Sequence, residues 1–285
     1  MTGPDFLSPA QTQALSARLR ARGEARASFA RVGERTEPAR AFETGGLRLR
    51  FPRAIAGCEA VLINTGGGMA GGDRAAIQFV VGAGAEVLFT TQSAEKIYRS
   101  EGETSQIEAR VEIGPAARLE WLPQETILFE GARFSRRLEV ELAADASLFL
   151  VEAIIFGRIA MGEHNIDAYL RDSWRIRREG RLLFAEELRL DHAGAVLDRL
   201  AVGGGARAIA TILFMAPGAQ AHLDNIRATL DSVCDPGEAR LEAGATALDG
   251  LVLTRLASPS PARLRDALVE VMMALRGRAA PRVWS

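Results

Sequence analysis

The sequence predicts a mainly β protein, and two regular patterns support that expectation. In residues 106–113, Ile107, Ala109, Val111 and Ile113 alternate with polar residues, which gives an extended strand one apolar face. Turn signals rich in glycine and proline recur roughly every 8 to 14 residues along most of the chain. Many short strands joined by regular turns indicate an all-β domain, and no internal repeat or linker divides it. We therefore expect a single domain over residues 26–285.

Strands are expected in order along the whole domain. An apolar run precedes a glycine-rich segment near residue 64, and the alternation in residues 134–142 contains one polar intruder, Arg136. The other strands are expected at residues 26–32, 77–81, 87–89, 106–113, 118–122, 126–129, 147–154, 168–177, 181–190, 208–215, 239–243 and 251–256.

Three helices are expected to interrupt the strands. The first spans residues 8–20 of an N-terminal extension, residues 1–25, that is prone to disorder. The second, residues 219–232, carries apolar residues on one face. The third, residues 261–276, is the clearest, because Ser260 caps its start and a glycine follows its end.

Residues 61–74, VLINTGGGMAGGDR, form the most informative segment. Gly66, Gly68 and Gly71 fit the G-x-G-x-x-G spacing of dinucleotide-binding loops. That fold requires a helix directly after the loop, whereas the next residues read as strand, turn, strand. The glycines instead predict a tight crossing between strands, with Asp73 on a stiff corner. Asp73 is either the cap of a plain turn or part of a functional loop that approaches a partner or an ion.

Composition excludes several classes of protein. The chain has 285 residues and a net charge of −1, which gives no basic excess for binding nucleic acid. It contains no apolar run of membrane-spanning length and does not begin like a secretory signal, so neither a membrane partner nor secretion is expected. Its two cysteines form no disulfide framework, and a reducing cytoplasm is the expected location.

The sequence contains no recognisable catalytic or metal-binding motif. The three histidines lack i, i+4 spacing, and no zinc, nucleotide or serine-hydrolase signature occurs. Buried carboxylates are costly unless they are paired or bound to a cation. Arginine neighbours such as Arg99, Arg118 and Arg158 would satisfy them in the simplest interpretation. The acidic residues in apolar or glycine-rich surroundings are Glu43, Asp73, Glu95, Glu120, Glu125, Glu152 and Glu163.

Four segments, taken together, resemble one known family. They are NTGGGMAGGDR (64–74), TTQSAEKIYRS (90–100), LEWLPQETILFEGARF (119–134) and GRIAMGE (157–163). In residues, order and spacing they resemble the urease accessory protein UreD family, called UreH in some organisms. RASFARVGERT near the start and PRVW near the end are similar to the same family. The resemblance covers roughly residues 25–285.

The resemblance implies a maturation protein rather than an enzyme. Proteins of this family lie between apo-urease and a complex of UreF with the GTPase UreG. They help to deliver nickel to the urease active site, where a carbamylated lysine bridges two nickel ions. The implied fold is a β-helical stack of strands in two sheets with two short α-helices, and a water-filled tunnel is thought to pass the nickel. The implied partners are UreF, UreG through UreF, and the urease apoprotein, with nickel bound transiently and no tightly bound cofactor.

Carboxylates suit such a conduit, because His and Cys hold nickel tightly and an ion in transit must be released. We expect Asp73 and Glu125 to line the internal path, with Glu43, Glu95 and Glu163 as lesser candidates. Alanine at Asp73 or Glu125 is expected to leave folding and partner binding intact and to lower the nickel content of urease.

The C-terminal helix and tail form the expected partner surface. Leu264, Leu268, Arg282 and Trp284 are the candidate contact residues, since tryptophan and arginine commonly anchor interfaces. We expect this region to contribute to binding of UreF. The alternative is that Trp284 simply covers the apolar side of the helix.

Two other interpretations remain open. An all-β hydrolase would use Asp73 and Glu125 as acid and base. Only 6% of the residues are aromatic, which disfavours a sugar-binding site of that kind. A pure interaction module would bind the same partners without a metal path, so that carboxylate variants have no effect. Lys96 and Tyr98 either face a partner or pack locally.

Overall fold

A computed structural model describes residues 20–53, 57–234, 240–248 and 250–284. Within these ranges the chain consists mainly of strands, with three α-helices in its C-terminal half. The expected fold class, mainly β, is confirmed. Of the helix expected at residues 8–20, residues 8–19 lie outside the described residues.

Seven strands form one sheet, which we call sheet A. The five central strands run parallel, and the two edge strands, β2 and β14 below, run antiparallel to their neighbours. In spatial order the strands are β14 (Arg181–Leu190), β13 (Tyr169–Arg178), β11 (Arg133–Leu142), β8 (Ser105–Ile113), β5 (Arg74–Val81), β1 (Arg22–Val32) and β2 (Arg35–Thr44).

The second sheet, sheet B, faces sheet A. Its four central strands are parallel, and antiparallel strands extend it on both sides. In spatial order the strands are β16 (Glu242–Leu248), β17 (Leu251–Ser258), β15 (Ala208–Met215), β12 (Ser147–Phe156), β9 (Arg118–Leu122), β6 (Glu86–Thr91), β4 (Cys58–Asn64) and β3 (Leu47–Arg50). Two short strands, β7 (Glu95–Ile97) and β10 (Thr126–Leu128), pair beside the end of β12.

The chain alternates between the sheets from β4 to β13, so that it winds as a solenoid. Each turn places one strand in sheet B and the next long strand in sheet A. Inward residues therefore stack in rows across neighbouring turns. One such row in sheet A is formed by Ala27, Phe79, Val111, Val140 and Ile176. This two-sheet stack is the fold that the family resemblance implied, and it is confirmed.

Aromatic side chains fill the space between the sheets. Phe79 of sheet A meets Phe89 of sheet B edge to face, with ring centroids 5.2 Å apart. Phe89 in turn stacks on Trp121 at 4.0 Å. Such pairs add stabilisation beyond the burial of their area, so they hold the two sheets in a fixed relation.

Helices cover the outer face of sheet B and create a second core. Helix α1 (Ala193–Leu197) packs in a separate apolar cluster with Phe156 and Leu190, whereas α2 (Leu223–Val233) and α3 (Pro261–Arg276) form this cover. The helix expected at 261–276 matches α3, where the Ser260 hydroxyl accepts a hydrogen bond from the Arg263 N–H at 3.3 Å. The helix expected at 219–232 begins as a 3-10 turn and becomes α-helical from Leu223.

Some elements differ from the expectation. Strand β2 was not expected, because all but one of its residues are exposed and its sequence shows no alternation. A strand was expected at residues 239–243, whereas β16 begins at Glu242 and continues to Leu248. Helix α1 was also missed, since five residues are too few to establish a helical period.

Candidate functional site

The glycine-rich loop after β4 owes its shape to close backbone contacts. A Cβ atom on Gly68 would lie 2.5 Å from the Tyr98 ring and 2.7 Å from the Lys96 carbonyl oxygen. The Tyr98 hydroxyl donates a hydrogen bond to the Gly67 carbonyl oxygen at 3.0 Å. Glycine at position 68 therefore allows the segment around Tyr98 to lie directly against the loop.

Asp73 fixes the end of this loop. Its two carboxylate oxygens accept hydrogen bonds from the backbone N–H groups of Ala21 and Ala70, each at 2.8 Å. The carboxylate thereby ties the loop to the residues that lead into β1. This arrangement supports the interpretation of Asp73 as a cap, while its place on a nickel path stays a prediction.

The four segments that carry the family resemblance meet at one corner of the solenoid. Strand β7 pairs in parallel with β10, which pairs with residues 154–156 of β12. On the other side of β7, Met69 of the glycine-rich loop forms a bridge to Ile97. The guanidinium carbon of Arg158 lies 4.2 Å from the ring centroid of Phe129, just beyond β10. We call the set formed by Met69, β7, β10 and residues 154–156 the corner ladder.

Glu95 is the most unusual carboxylate of the corner ladder. Its Oε1 atom accepts a hydrogen bond from the side-chain amide of Asn64 at 2.9 Å, and it forms no salt bridge with any described residue. Burial raises the pKa of Glu95 to about 7, against the smaller opposing effects of Asn64 and Lys96. Glu95 lines a cavity of about 20 Å³, which is enough for one water molecule or ion.

Glu125 lies beside Glu95 but has a cation as its partner. The Glu95 backbone N–H donates to the Glu125 carbonyl oxygen at 2.9 Å, which places the two residues on neighbouring rungs. The Glu125 carboxylate accepts a hydrogen bond from Arg265 of α3. Arg265 also lies over the ring of Trp284, 4.9 Å from its centroid. In this structure Glu125 therefore helps to hold the C-terminal helix on sheet B.

Glu163 is likewise paired. It accepts hydrogen bonds from the backbone N–H and the guanidinium of Arg158, and these bonds lower the pKa of Glu163.

Glu43 belongs to β2, and its carboxylate lies against the free edge of β3, away from the corner ladder. It accepts a hydrogen bond from the backbone N–H of Leu49 at 2.6 Å and lies within 3.7 Å of Arg48 and Arg50. The carboxylate thus occupies a backbone donor that would otherwise be available at the sheet edge.

No cluster of three or more His, Cys, Asp or Glu side chains is arranged to hold a metal ion in the described part of the chain. The structure brings Glu95 and Glu125 together, and Asp73 follows Met69 of the same corner by four residues. The roles of all five carboxylates toward nickel stay predictions.

A cluster of charged side chains lies in the interior and was not predicted from the sequence. Arg136 of sheet A pairs with Glu152 of sheet B and with Asp172 on the adjacent strand, its Nε donating to Asp172 at 3.0 Å. The indole N–H groups of Trp121 and Trp174 donate to Glu152 and Asp172, each at 3.0 Å. We call Arg136, Glu152 and Asp172 the interior triad.

The interior triad carries one more acid than it has cations. All three side chains are almost fully buried, and they border a cavity of about 20 Å³. Burial and the neighbouring carboxylate of Asp172 raise the pKa of Glu152, whereas Arg136 opposes this shift. The sequence contained one indication of this cluster, because Arg136 is a charged residue at a position of its strand where apolar residues point inward.

The expected partner residues on α3 and in the tail that follows it are mostly buried within the chain. Leu264, Leu268 and Trp284 are at most 3% exposed, and only Arg282 lies at the surface. The indole N–H of Trp284 donates to the Leu122 carbonyl oxygen at 3.1 Å. The alternative for Trp284, in which it covers an apolar surface, therefore describes its position, and partner binding by this region stays a prediction.

Two further arginines fasten the end of α3. Arg276 donates two hydrogen bonds to one oxygen of Glu120, at 2.8 and 3.0 Å, and Arg278 donates to the other at 2.8 Å. Glu120 and Glu125, on the outer face of sheet B, thus act as anchors for the C-terminal segment.

The acid–base pair of the hydrolase alternative has other partners in this structure. Asp73 accepts two backbone N–H groups, and Glu125 is bound to Arg265.

Comparison with known proteins agrees with the geometry. Residues 21–285 match the family model described as UreD urease accessory protein. The chain is 50% identical over 276 residues to urease accessory protein UreD 2 of Methylorubrum populi, covering 94% of this chain and 91% of that protein. It is 44% identical over 279 residues to urease accessory protein UreD of Xanthobacter autotrophicus, covering 98% and 94%. A relative from Methylobacterium sp. strain 4-46 is 50% identical over 244 residues, covering 85% and 86%.

The fold and site define a two-sheet β-solenoid protein whose buried carboxylates are mostly paired with arginine or backbone N–H groups. The chain belongs to the UreD family of urease accessory proteins. Membership supports a role in urease maturation, and the names of the relatives describe accessory proteins rather than enzymes. Among the described helices, none is long and apolar enough to cross a bilayer.

Proposed function

We propose that this chain is a cytoplasmic scaffold that holds apo-urease and a UreF–UreG complex together, and that nickel passes along it to urease as cargo. The chain itself catalyses no reaction in this proposal. Weak, oxygen-based contacts fit a protein that must release the ion, because nitrogen and sulfur ligands would retain nickel. The described residues hold no cluster of three metal-ligating side chains, which is consistent with passage rather than storage.

The environment of Glu95 is the main support for the proposal that nickel passes along the chain. It is a half-buried carboxylate that forms no salt bridge with a described residue, and it lines a cavity of suitable size for one ion. A divalent cation beside it would supply the missing positive charge and favour the ionised carboxylate. Burial raises the pKa of Glu95 to about 7, and a bound cation would lower that pKa again.

The other carboxylates are proposed as secondary members of the path. Glu125, next to Glu95, would exchange its Arg265 partner for the ion. Asp73 would contribute from the glycine-rich loop, where its backbone contacts keep it in place. Glu43 and Glu163, each beside arginine, are the lesser candidates.

The proposal is tested by urease maturation in a host that lacks its own UreD. The chain is co-expressed with the urease subunits and the remaining accessory proteins, and the nickel content and activity of purified urease are measured. Glu95→Gln preserves an acceptor for Asn64 but removes the negative charge, so urease nickel is expected to fall several-fold. Glu112→Gln is the matched control, because Glu112 is exposed on the outer face of sheet A and forms no salt bridge in the described residues.

Pull-down of both partners accompanies each maturation assay. Normal nickel loading with Glu95→Gln, Asp73→Asn and Glu125→Gln would overturn the nickel path and leave a scaffold without a metal role. Failure of the folded wild-type chain to retain either apo-urease or UreF would overturn the scaffold itself.

A further inference from the structure

We propose that Lys96, Tyr98, Ile127, Phe129 and Arg158 form a docking surface for an acidic segment of a partner protein, one that also carries an apolar side chain. We call this surface the Tyr98 patch. The inference rests on the proposed scaffold function, since it assigns one of the surfaces by which a scaffold holds a partner. None of these residues is among the partner-binding candidates at the C-terminus.

The patch lies on the outward side of the corner ladder. Ile97, which is fully buried, separates Lys96 from Tyr98, so these two side chains point outward and both are exposed. Ile127 is the register partner of Lys96 on β10 and is half-buried, as is Phe129 two residues further on. The two strands together therefore present an apolar strip with a lysine at one end.

The aromatic part of the patch is held rigidly before any partner binds. The Tyr98 hydroxyl donates to the Gly67 carbonyl oxygen, and the Tyr98 and Phe129 rings meet edge to face at 5.1 Å. The guanidinium of Arg158 lies over the Phe129 ring at 4.2 Å and is oriented by Glu163. Preorganised side chains lose little entropy on binding, and tyrosine and arginine are enriched among residues that dominate interface energies.

Charge selects the kind of partner. Lys96 forms no salt bridge with any described residue, and it is the only lysine of the chain. Arg158 is paired with Glu163, so Lys96 supplies the positive charge of the patch that no salt bridge with a described residue offsets. An acidic segment would pair with Lys96 while its apolar side chain covers Ile127 and Phe129. Complementary charge of this kind steers association and makes it sensitive to salt.

The test measures the affinity of the full-length chain for purified apo-urease and for the UreF–UreG complex, at low and high salt. Lys96→Glu reverses the charge, and Ile127→Asp places an acid in the apolar strip. Each is expected to weaken the binding of one partner about tenfold or more, with loss of most of the salt dependence for Lys96→Glu. Arg40→Glu is the matched control, since Arg40 is exposed on β2 and forms no salt bridge among the described residues.

Thermal melting of each variant establishes that the fold is retained. Unchanged affinity of both Lys96→Glu and Ile127→Asp for both partners would overturn the docking surface while the scaffold function stands. An equal loss in Arg40→Glu would also overturn it, because the effect would then come from net charge alone. If wild type binds neither partner, the scaffold function fails and this inference fails with it.

Discussion

At the scale of single residues, the glycine-rich loop depends on a missing Cβ atom. Gly68→Ala would push a methyl group against the Tyr98 ring and the Lys96 carbonyl, at a backbone φ of +152°. We expect a loss of about 2 to 4 kcal/mol in the free energy of unfolding. Gly67→Ala, with φ +72° and nothing within 4 Å, is the control and is expected to cost about 1 kcal/mol. Urea denaturation of both variants measures the difference, and equal losses would contradict this account.

Glu95 makes stability depend on pH in a predictable direction. Its pKa is about 7 in the folded chain against an ordinary value of 4.5, so between these values the folded state binds a proton that the unfolded state has released. The contribution of Glu95 is therefore fully present below about pH 4.5 and is lost as the pH rises to about 7.

The variant Glu95→Gln is expected to remove this part of the pH dependence. Its melting temperature is expected to exceed that of wild type at pH 8 and to approach it near pH 4.5. Glu112→Gln supplies the control, because the Glu112 carboxylate is exposed and forms no salt bridge with a described residue. Parallel pH profiles for wild type and Glu95→Gln would show that Glu95 titrates normally.

At this scale the sequence identified the right residue types but not their partners. The acidic residues in apolar surroundings were visible, including Glu95 and Glu152. Which of them lacks a cation depends on arginines far away in the chain, such as Arg265 beside Glu125. Such pairings depend on the three-dimensional path of the chain, and local pattern does not contain that information.

At the scale of elements, α3 is attached to sheet B by arginines that contribute unequally to the free energy of unfolding. Arg276 and Arg278 both donate to Glu120, but the Arg276 side chain is 4% exposed and that of Arg278 is 47% exposed. Arg276→Ala is expected to cost about 2 kcal/mol, because it leaves a largely buried carboxylate short of two charged hydrogen bonds. Arg278→Ala is expected to cost about 0.5 kcal/mol or less. Chemical denaturation measures the free energy of unfolding of both variants. An equal loss would mean that burial of the arginine does not determine the strength of its salt bridge with Glu120.

Two elements show which signals in a sequence are sufficient to predict a helix or a strand. Helix α3 was predicted to the residue because a serine cap, an apolar stripe and a terminal glycine agree. The corner ladder was not predicted as a unit, because its strands contain three residues each. Strands that short carry no reliable period, and the turns of the solenoid alone bring them together.

At the scale of the whole molecule, the interior triad joins the two sheets through charge. Arg136→Met keeps a similar volume but leaves Glu152 and Asp172 facing each other without a cation. At pH 8 we expect a loss of about 3 to 5 kcal/mol, because both carboxylates must ionise in the interior or take up protons. At pH 5 the loss is expected to be smaller, since protonation then costs little. Melting curves at both pH values test this, and an equal loss at each would contradict it.

The solenoid itself followed from resemblance rather than from strand pattern. Alternation in strands such as β8 predicts a half-buried sheet, but it does not distinguish a β-sandwich from a β-solenoid. The order of strands in sheet A follows their order along the chain from β5 to β13, and this regular progression is a property of the whole path. Local signals therefore predicted the fold class, and the four family-like segments supplied the architecture.

The buried tryptophans give the protein an optical reporter of its own interior. The chain has three, and each indole N–H is hydrogen-bonded: Trp121 to Glu152, Trp174 to Asp172 and Trp284 to the backbone of Leu122. Two of the fluorescent indoles therefore lie beside the interior triad, and the third lies where the C-terminal tail packs on sheet B. None of the three indoles is exposed. Titration of Glu152 would appear as a change in fluorescence, and a paramagnetic ion passing nearby would quench it. A nickel ion on the proposed path could thus be detected by its quenching of tryptophan fluorescence in the unlabelled protein.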